Sequence, residues 1–231
     1  MSGRLYGIGV GPGDPELMTL KAVRILAEVP VVAYLAPDRG EITARKIAER
    51  FIPAGREEIA IRIAMRPAPE PGDAYDRAAE EIAAHLSARR DVAVLCEGDP
   101  FFYASFAYLH DRLAARFPCT IVPGVTSLTA CAAAAGRPLA RRDEILAVLP
   151  ATLSDAELEP RLASADVAAI LKVGRHLPRV RALLRRLGLV GMSIHVAHAT
   201  RGDEKVAPLA DLGDVDAPYF SMILVSKERA A

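Results

Sequence analysis

Hydrophobic positions in this chain change period repeatedly, from continuous apolar runs to helical spacing and back. Residues 5–10 (Leu5-Tyr6-Gly7-Ile8-Gly9-Val10) form a short apolar run. Residues 17–29 then space Leu20, Val23, Ile25 and Leu26 among Lys21, Arg24 and Glu28. The first stretch reads as a buried strand and the second as an amphipathic helix. After Pro30, residues 31–35 read as a second buried strand, and residues 43–51 predict a helix ended by Pro53 and Gly55. Ile59, Ile61, Ile63 and Met65 alternate with Ala60, Arg62 and Ala64, which predicts a half-buried strand. Residues 66–72, with three prolines, predict a surface loop.

The alternation continues. Residues 73–89 place Ala78, Ala79, Ile82, Ala83 and Leu86 on one helical face. Residues 92–96 are continuously apolar, the mark of a parallel strand covered on both faces. A helix over 105–116 carries Phe106, Leu109 and Leu113. Phe117-Pro118 reads as a seam, so the expected domains are residues 1–118 and 119–231. Beyond it come a short strand at 120–122 and an alanine-rich helix closed by Gly136 and Pro138. Next are a strand at 145–149, a polar segment at 154–163 broken by Pro160, and a strand at 167–173. A cationic helix at 177–187 and strands at 193–197 and 219–226 follow, with the charged turn Arg201-Gly202-Asp203-Glu204 between those strands. Strands alternating with helices argue for two α/β units.

Three loops sit where apolar runs give way to helices. The first is Gly7-Ile8-Gly9-Val10-Gly11-Pro12-Gly13-Asp14-Pro15. It resembles the dinucleotide fingerprint G-x-G-x-x-G, but Pro12 or Asp14 falls where the third glycine belongs. The Lys-Ser/Thr ending of a nucleotide P-loop is absent too, and a carboxylate suits a phosphate poorly. A ligand loop and a tight strand-to-helix turn both fit, and Asp14 or Thr19 can cap the helix that follows. The second loop is Glu97-Gly98-Asp99-Pro100-Phe101-Phe102-Tyr103, in which Glu97 and Asp99 suit either paired acid/base work or ordinary turn chemistry. The third is Pro123-Gly124-Val125-Thr126-Ser127. Arg141-Arg142 follows a turn and is a candidate for an anionic ligand, whereas Arg185-Arg186 reads as a solvated helix face.

Composition narrows the partners. Lys plus Arg and Asp plus Glu both number 29, so no global field favours nucleic acid or an anionic membrane. Cys96, Cys119 and Cys131 lack metal-ligand spacing and read as buried free thiols of a reducing compartment. His195 and His198, three apart on a strand, point to opposite faces and do not share a metal. No Gly-x-Ser-x-Gly elbow supports serine hydrolysis. The first strand begins at once, leaving no room for a signal peptide, and no apolar run reaches membrane-spanning length, so a soluble cytoplasmic protein is expected. From residue chemistry alone, the chain is a two-unit α/β protein whose loops at 9–15, 97–103 and 123–127 converge on a small-molecule cleft.

Taken together, in this order and spacing, the three loops resemble the tetrapyrrole methylase superfamily, the class III S-adenosylmethionine-dependent methyltransferases. The matching stretches run from Val10 through Ala22, from Glu97 through Tyr103 and from Pro123 through Ser127. Val31-Val32-Ala33-Tyr34, Cys96 through Phe106, Val148-Leu149-Pro150-Ala151-Thr152 and the closing Tyr219-Phe220-Ser221-Met222-Ile223-Leu224-Val225 resemble most the branch that methylates corrin precursors at C(20). Sister branches acting at other ring positions share the three loops. The resemblance implies two α/β domains with an active-site cleft between them. The N-terminal domain would supply the tetrapyrrole side and the C-terminal domain the cofactor side, commonly in a homodimer.

By motif position, the resemblance implies that S-adenosyl-L-methionine meets Pro12, Glu97, Gly98, Asp99, Phe102, Thr126, Ser127, Val173, Ala199 and Thr200. No metal is implied. Gly11, Tyr34, Arg141 and Arg142 are candidates for the tetrapyrrole substrate, with Arg39 and Arg66 as further rim cations. Asp99 is the candidate general base, ahead of Glu97 and Tyr34. One departure matters: relatives that methylate uroporphyrinogen III carry a catalytic aspartate in a Tyr-Asp segment after the second strand. Here the stretch is Ala33-Tyr34-Leu35-Ala36-Pro37, which disfavours that substrate. A nicotinamide oxidoreductase would need the glycine spacing that Pro12 spoils, a tetrapyrrole carrier would not need the cofactor loops, and zero net charge gives an RNA methylase no help.

Overall fold

A computed structural model describes residues 2–37, 42–63, 72–213 and 217–227, and the chain divides into two units, Met1–Thr126 and Ser127–Ala231. The candidate cations Arg39 and Arg66 lie outside the described residues.

The first unit runs β1 (Leu5–Gly9), α1 (Leu20–Glu28), β2 (Val31–Pro37), α2 (Thr43–Ala48), β3 (Glu57–Ile63), α3 (Gly72–Ser87), β4 (Val92–Cys96), α4 (Phe106–Leu113) and β5 (Cys119–Val122). Its five strands are ordered β3-β2-β4-β1-β5, and every pairing is parallel. Parallel strands need crossover helices, and these cover both faces. The continuous apolar run of β4 is thereby divided between two cores. Val92, Val94 and Cys96 pack with Ile82, Leu86 and Phe106 of α3 and α4. Ala93 and Leu95 pack with Ile25, Leu26 and Ile47 of α1 and α2. β3 is an edge strand and keeps strict alternation, with Ile59, Ile61 and Ile63 buried while Glu58, Ala60 and Arg62 face solvent.

The expected seam at Phe117-Pro118 is displaced. β5 pairs in parallel with β1, Ile8 opposite Val122, so residues 119–126 belong to the first unit. Pro118 marks the end of a helical stretch, and that punctuation is the same whichever sheet the next strand joins.

The second unit runs α5 (Ser127–Ala134), β6 (Leu146–Pro150), α6 (Asp155–Ser164), β7 (Val167–Leu171), α7 (Leu177–Arg186), β8 (Ser193–Ala197), β9 (Lys205–Pro208) and β10 (Ser221–Ser226). The sheet order is β6-β7-β10-β8-β9. β6 and β7 are parallel, β10 is antiparallel to both β7 and β8, and β9 forms an antiparallel edge on β8. One face packs Ala168, Ile170, Ile223 and Val225 against Leu158, Leu162, Val180 and Leu184 of α6 and α7. The alanine-rich α5 packs on β8 and β10. Pro160 does not break its segment: α6 continues through it, because Ala156, whose carbonyl loses its partner, is exposed to water.

His195 of β8 is 5% exposed, stands opposite Ile223 and so shares the face that holds the α6–α7 core. Its Nε2 is buried and has no hydrogen-bond partner among the described residues. Burial pushes the imidazole pKa below its ordinary value of 6.5. Below that pH the unfolded chain takes up a proton that the folded state refuses, so stability is lost as pH falls from about 6.5 towards the folded pKa. Urea unfolding at pH 7.5 and 5.5 is expected to show a lower midpoint at 5.5, with part of the difference removed in His195→Leu. An unchanged pH dependence in that variant would show that His195 carries none of it.

Candidate functional site

The three loops leave the first sheet at the carboxyl ends of β4, β1 and β5, which are neighbours. Their backbones meet. Val10 N donates to Cys96 O at 2.9 Å, Gly98 N to Gly11 O at 2.8 Å, and Gly11 N back to Gly98 O at 3.4 Å. A Cβ on Gly9 would lie 2.6 Å from Gly98 O and 2.6 Å from Gly124 N, and one on Gly124 would lie 2.1 Å from Gly98 O. The crossing point therefore admits no side chain, which is why glycine stands in each of the three loops. Gly11 and Gly98, at φ +81° and +66°, occupy the left-handed region in addition.

Around this crossing the expected residues are arranged as follows. Asp99 Oδ1 accepts a hydrogen bond from Phe101 N at 2.9 Å, and Oδ2 accepts one from Gly124 N at 3.1 Å. Both oxygens of the candidate base are thus engaged by backbone N–H groups of two loops. Glu97 is exposed, and Pro12 and Phe102 are half-buried, with Phe102 edge-on to Tyr103 at 5.1 Å between centroids. Thr126 ends the first unit, and Ser127 opens α5 with an exposed side chain. Both expected helix caps are used in succession: Asp14 Oδ1 accepts from Glu16 N at 2.8 Å, and Thr19 Oγ1 accepts from Ala22 N at 3.1 Å.

In the second unit β6, β7 and β8 run in one direction, so their carboxyl ends share one end of the sheet. Lys172, His198 and Thr200 lie there with φ of +58°, +52° and +67°, strained values for residues other than glycine. Thr200 N donates to Glu204 Oε2 at 2.6 Å, His198 Nδ1 is paired with the Asp203 carboxylate, and His198 N donates to Phe220 O at 2.8 Å. Arg201 lies over the Phe220 ring at 4.8 Å. Ala199 and Thr200 thus sit in a turn fixed from several sides.

Three of the expected positions have surroundings of another kind. Val173 is 0% exposed and packs with Leu177 and Val180, so it offers a ligand no surface; Lys172 and Gly174 flank it at the accessible strand end. Arg141 and Arg142 precede β6, at the end of the second sheet opposite Thr200, because a strand of five residues, about 16 Å long, separates the two ends. Tyr34 is 7% exposed and packs in the α1–α2 core. Its hydroxyl donates to Glu58 Oε2 at 2.8 Å, and Arg45 grips the same carboxylate with Nε and Nη2, each at 3.0 Å. Burial, then the bond to Glu58, pushes the Tyr34 hydroxyl pKa up, and the Arg45 hydrogen bond holds the Glu58 carboxyl down. That hydroxyl is committed to structure.

Sequence patterns gave no sign of Arg179. From α7 it donates to Ala151 O, to Leu153 O at 3.0 Å and to Asp155, fixing the turn after β6. An arginine two residues into a cationic helix carries no signal of what it reaches.

Covalent chemistry through sulfur is disfavoured. Burial pushes the Cys131 thiol up to about 12, with the Glu204 charge adding to it, and burial raises Cys96 and Cys119 as well. Among the described residues no group of three His, Cys, Asp or Glu could hold a metal ion, and no helix is long and apolar enough to cross a membrane. The first unit's strand ends present backbone and, in Asp99, a carboxylate already bonded to two loops. The second unit's strand ends present backbone in fixed turns, with the exposed Lys172 beside them.

Comparisons with known proteins point to one family. A family model described as Tetrapyrrole (Corrin/Porphyrin) Methylases matches residues 4–215. The chain is 41% identical over 232 residues to a Sinorhizobium sp protein named precorrin-2 C(20)-methyltransferase, covering 96% of this chain and 95% of that one. It is 44% identical over 236 residues to the Mycobacterium tuberculosis cobalamin biosynthesis protein CobIJ, across 98% of this chain and 46% of the relative, so it spans about half that relative's length. Its fold matches the crystal structure of Thermus thermophilus uroporphyrin-III C-methyl transferase complexed with S-adenyl homocysteine, with a TM-score of 0.72, 26% identity and 97% coverage of each chain.

The crossing of glycines is open to direct measurement. Gly124→Ala is expected to lower the unfolding free energy by about 1–3 kcal/mol through overpacking against Gly98 O. Gly202→Ala, where nothing lies within 4 Å, is expected to change it by no more than about 0.5 kcal/mol. Urea unfolding of both variants checks this, and equal costs would show that the crossing is not tight.

Proposed function

The chain belongs to the tetrapyrrole (corrin/porphyrin) methylases, and we propose that it transfers a methyl group from S-adenosylmethionine to C(20) of precorrin-2, giving precorrin-3A in cobalamin biosynthesis. The observation that carries this reading is the meeting of the three loops around Gly9, Gly98 and Gly124, in a chain 41% identical along nearly its whole length to a protein of that name. The reading includes a cytoplasmic homodimer whose protein residues hold no metal.

The cofactor supplies a methyl group already activated by its sulfonium. The remaining work is binding and alignment. The start of α5, with the Thr126 and Ser127 hydroxyls and the positive end of the helix, suits the methionine carboxylate. Pro12, Glu97, Gly98, Asp99 and Phe102 of the first unit, and the fixed turn at Ala199 and Thr200 of the second, are the further cofactor contacts of this reading. Holding the electron-rich bridge carbon of a reduced tetrapyrrole in line with the methyl group accounts for roughly 7–11 kcal/mol of the barrier. The carbon is its own nucleophile, so the protein needs no activated thiol or metal.

Two measurements test this. Titration with S-adenosylhomocysteine and with NADH is expected to show binding of the first alone; the reverse result would overturn the class. Incubation with precorrin-2 and methyl-labelled S-adenosylmethionine, followed by NMR of the product, is expected to place the label at C(20). A label on any other ring carbon overturns the position and keeps the class.

A further inference from the structure

We infer that Asp99 is a positioning residue, a carboxylate brace that fixes the third loop as far as Thr126, and that the proton lost from the methylated carbon goes to water and not to this carboxylate. Its second half rests on the methyltransferase reading above; its first half does not.

The geometry is specific. Asp99 Oδ1 accepts Phe101 N within its own loop, closing a turn, and Oδ2 reaches across to Gly124 N in the next loop. Gly124 is the residue whose Cα lies against Gly9 and Gly98, so the bond pins the tightest point of the crossing. From Gly124 only Val125 intervenes before Thr126, a short reach of extended chain. Whatever holds Gly124 N therefore limits where the Thr126 hydroxyl can be. A carboxylate does this better than a neutral acceptor, because bonds to a charged oxygen are shorter and stronger.

The same bonds argue against proton acceptance. A protonated carboxyl would lose the charge that strengthens both bonds, the one from Phe101 N to Oδ1 and the one from Gly124 N to Oδ2. Each turnover would then loosen the loop that the cofactor needs in place.

Asp99→Asn separates the possibilities. The amide keeps one acceptor oxygen and sets an NH2 group against the other N–H. Hydrogen exchange at residues 122–127 is expected to quicken in the folded variant, and S-adenosylhomocysteine binding to weaken by about tenfold or more. The pH profile of methyl transfer at saturating cofactor is expected to keep its wild-type shape. Unchanged exchange at 122–127 overturns the brace. Unchanged S-adenosylhomocysteine affinity, with loss of the acidic limb of the pH profile, restores Asp99 as the base. If Asp99→Asn does not fold, Asp99→Ser keeps a hydroxyl acceptor for one N–H, and the same readouts apply to it. If the wild-type protein binds no S-adenosylhomocysteine, the methyltransferase reading fails, and the exchange measurement alone still decides the brace.

Discussion

The first unit depends on a steric constraint: three backbone segments occupy one point at the carboxyl ends of β4, β1 and β5. Adjacent parallel strands place their ends side by side, but ordinary side chains would keep the loops beyond them apart. Removing the Cβ at residues 9, 98 and 124 lets the loops bond to one another and continue the sheet beyond its last ladder pair, through the Gly11–Gly98 bridge. Glycine costs roughly 0.5–1 kcal/mol per position in lost chain entropy. Burial on both faces of β4 and β1 offsets that cost, since Leu5, Ile8, Val92 and Leu95 are wholly enclosed by four helices. The double-sided core is what makes a glycine-rich strand end tolerable.

The second unit presents backbone at its strand ends by the opposite device. Lys172, His198 and Thr200 take left-handed conformations without being glycine, at a cost of about 1–3 kcal/mol each. Thr200 and His198 are held there by bonds: Glu204 accepts Thr200 N, Asp203 pairs with His198, and the Phe220 backbone carbonyl accepts His198 N. Glycine makes the first unit's loops permissive, and bonded carboxylates make the second unit's turn compulsory. Both fix the backbone of a strand-end loop, by close approach in one unit and by side-chain bonds in the other.

Much of this was legible in the sequence where the signal is local. The continuous apolar run of β4, the alternation of β3, the caps at Asp14 and Thr19 and the three loops all appear as residue patterns. What was illegible depends on partners distant in the chain. Pro118 announces the end of a helix but not that β5 will join β1. Arg141-Arg142 lies beside a turn, yet its distance from Thr200 is set by the direction of β6. Tyr34 follows a family motif, but the Glu58 of β3 and the Arg45 of α2 decide what its hydroxyl does. Val173 ends a strand as expected, and the position of α7 decides that it faces a core. In each case the residue type was read correctly and its surroundings were not available.

The use made of carboxylates follows from the same logic. Asp14, Asp99 and Glu204 accept backbone N–H groups, while Glu58 and Asp155 are held by arginines. An enzyme that must generate a nucleophile or ionise a weak acid keeps at least one such group poised and loosely held near the reacting atoms. Where the leaving group is already cationic and the nucleophile is an electron-rich carbon, that demand is small. Acidic side chains can then be spent on fixing turns, and precision of placement replaces basicity as the quantity the fold has to supply.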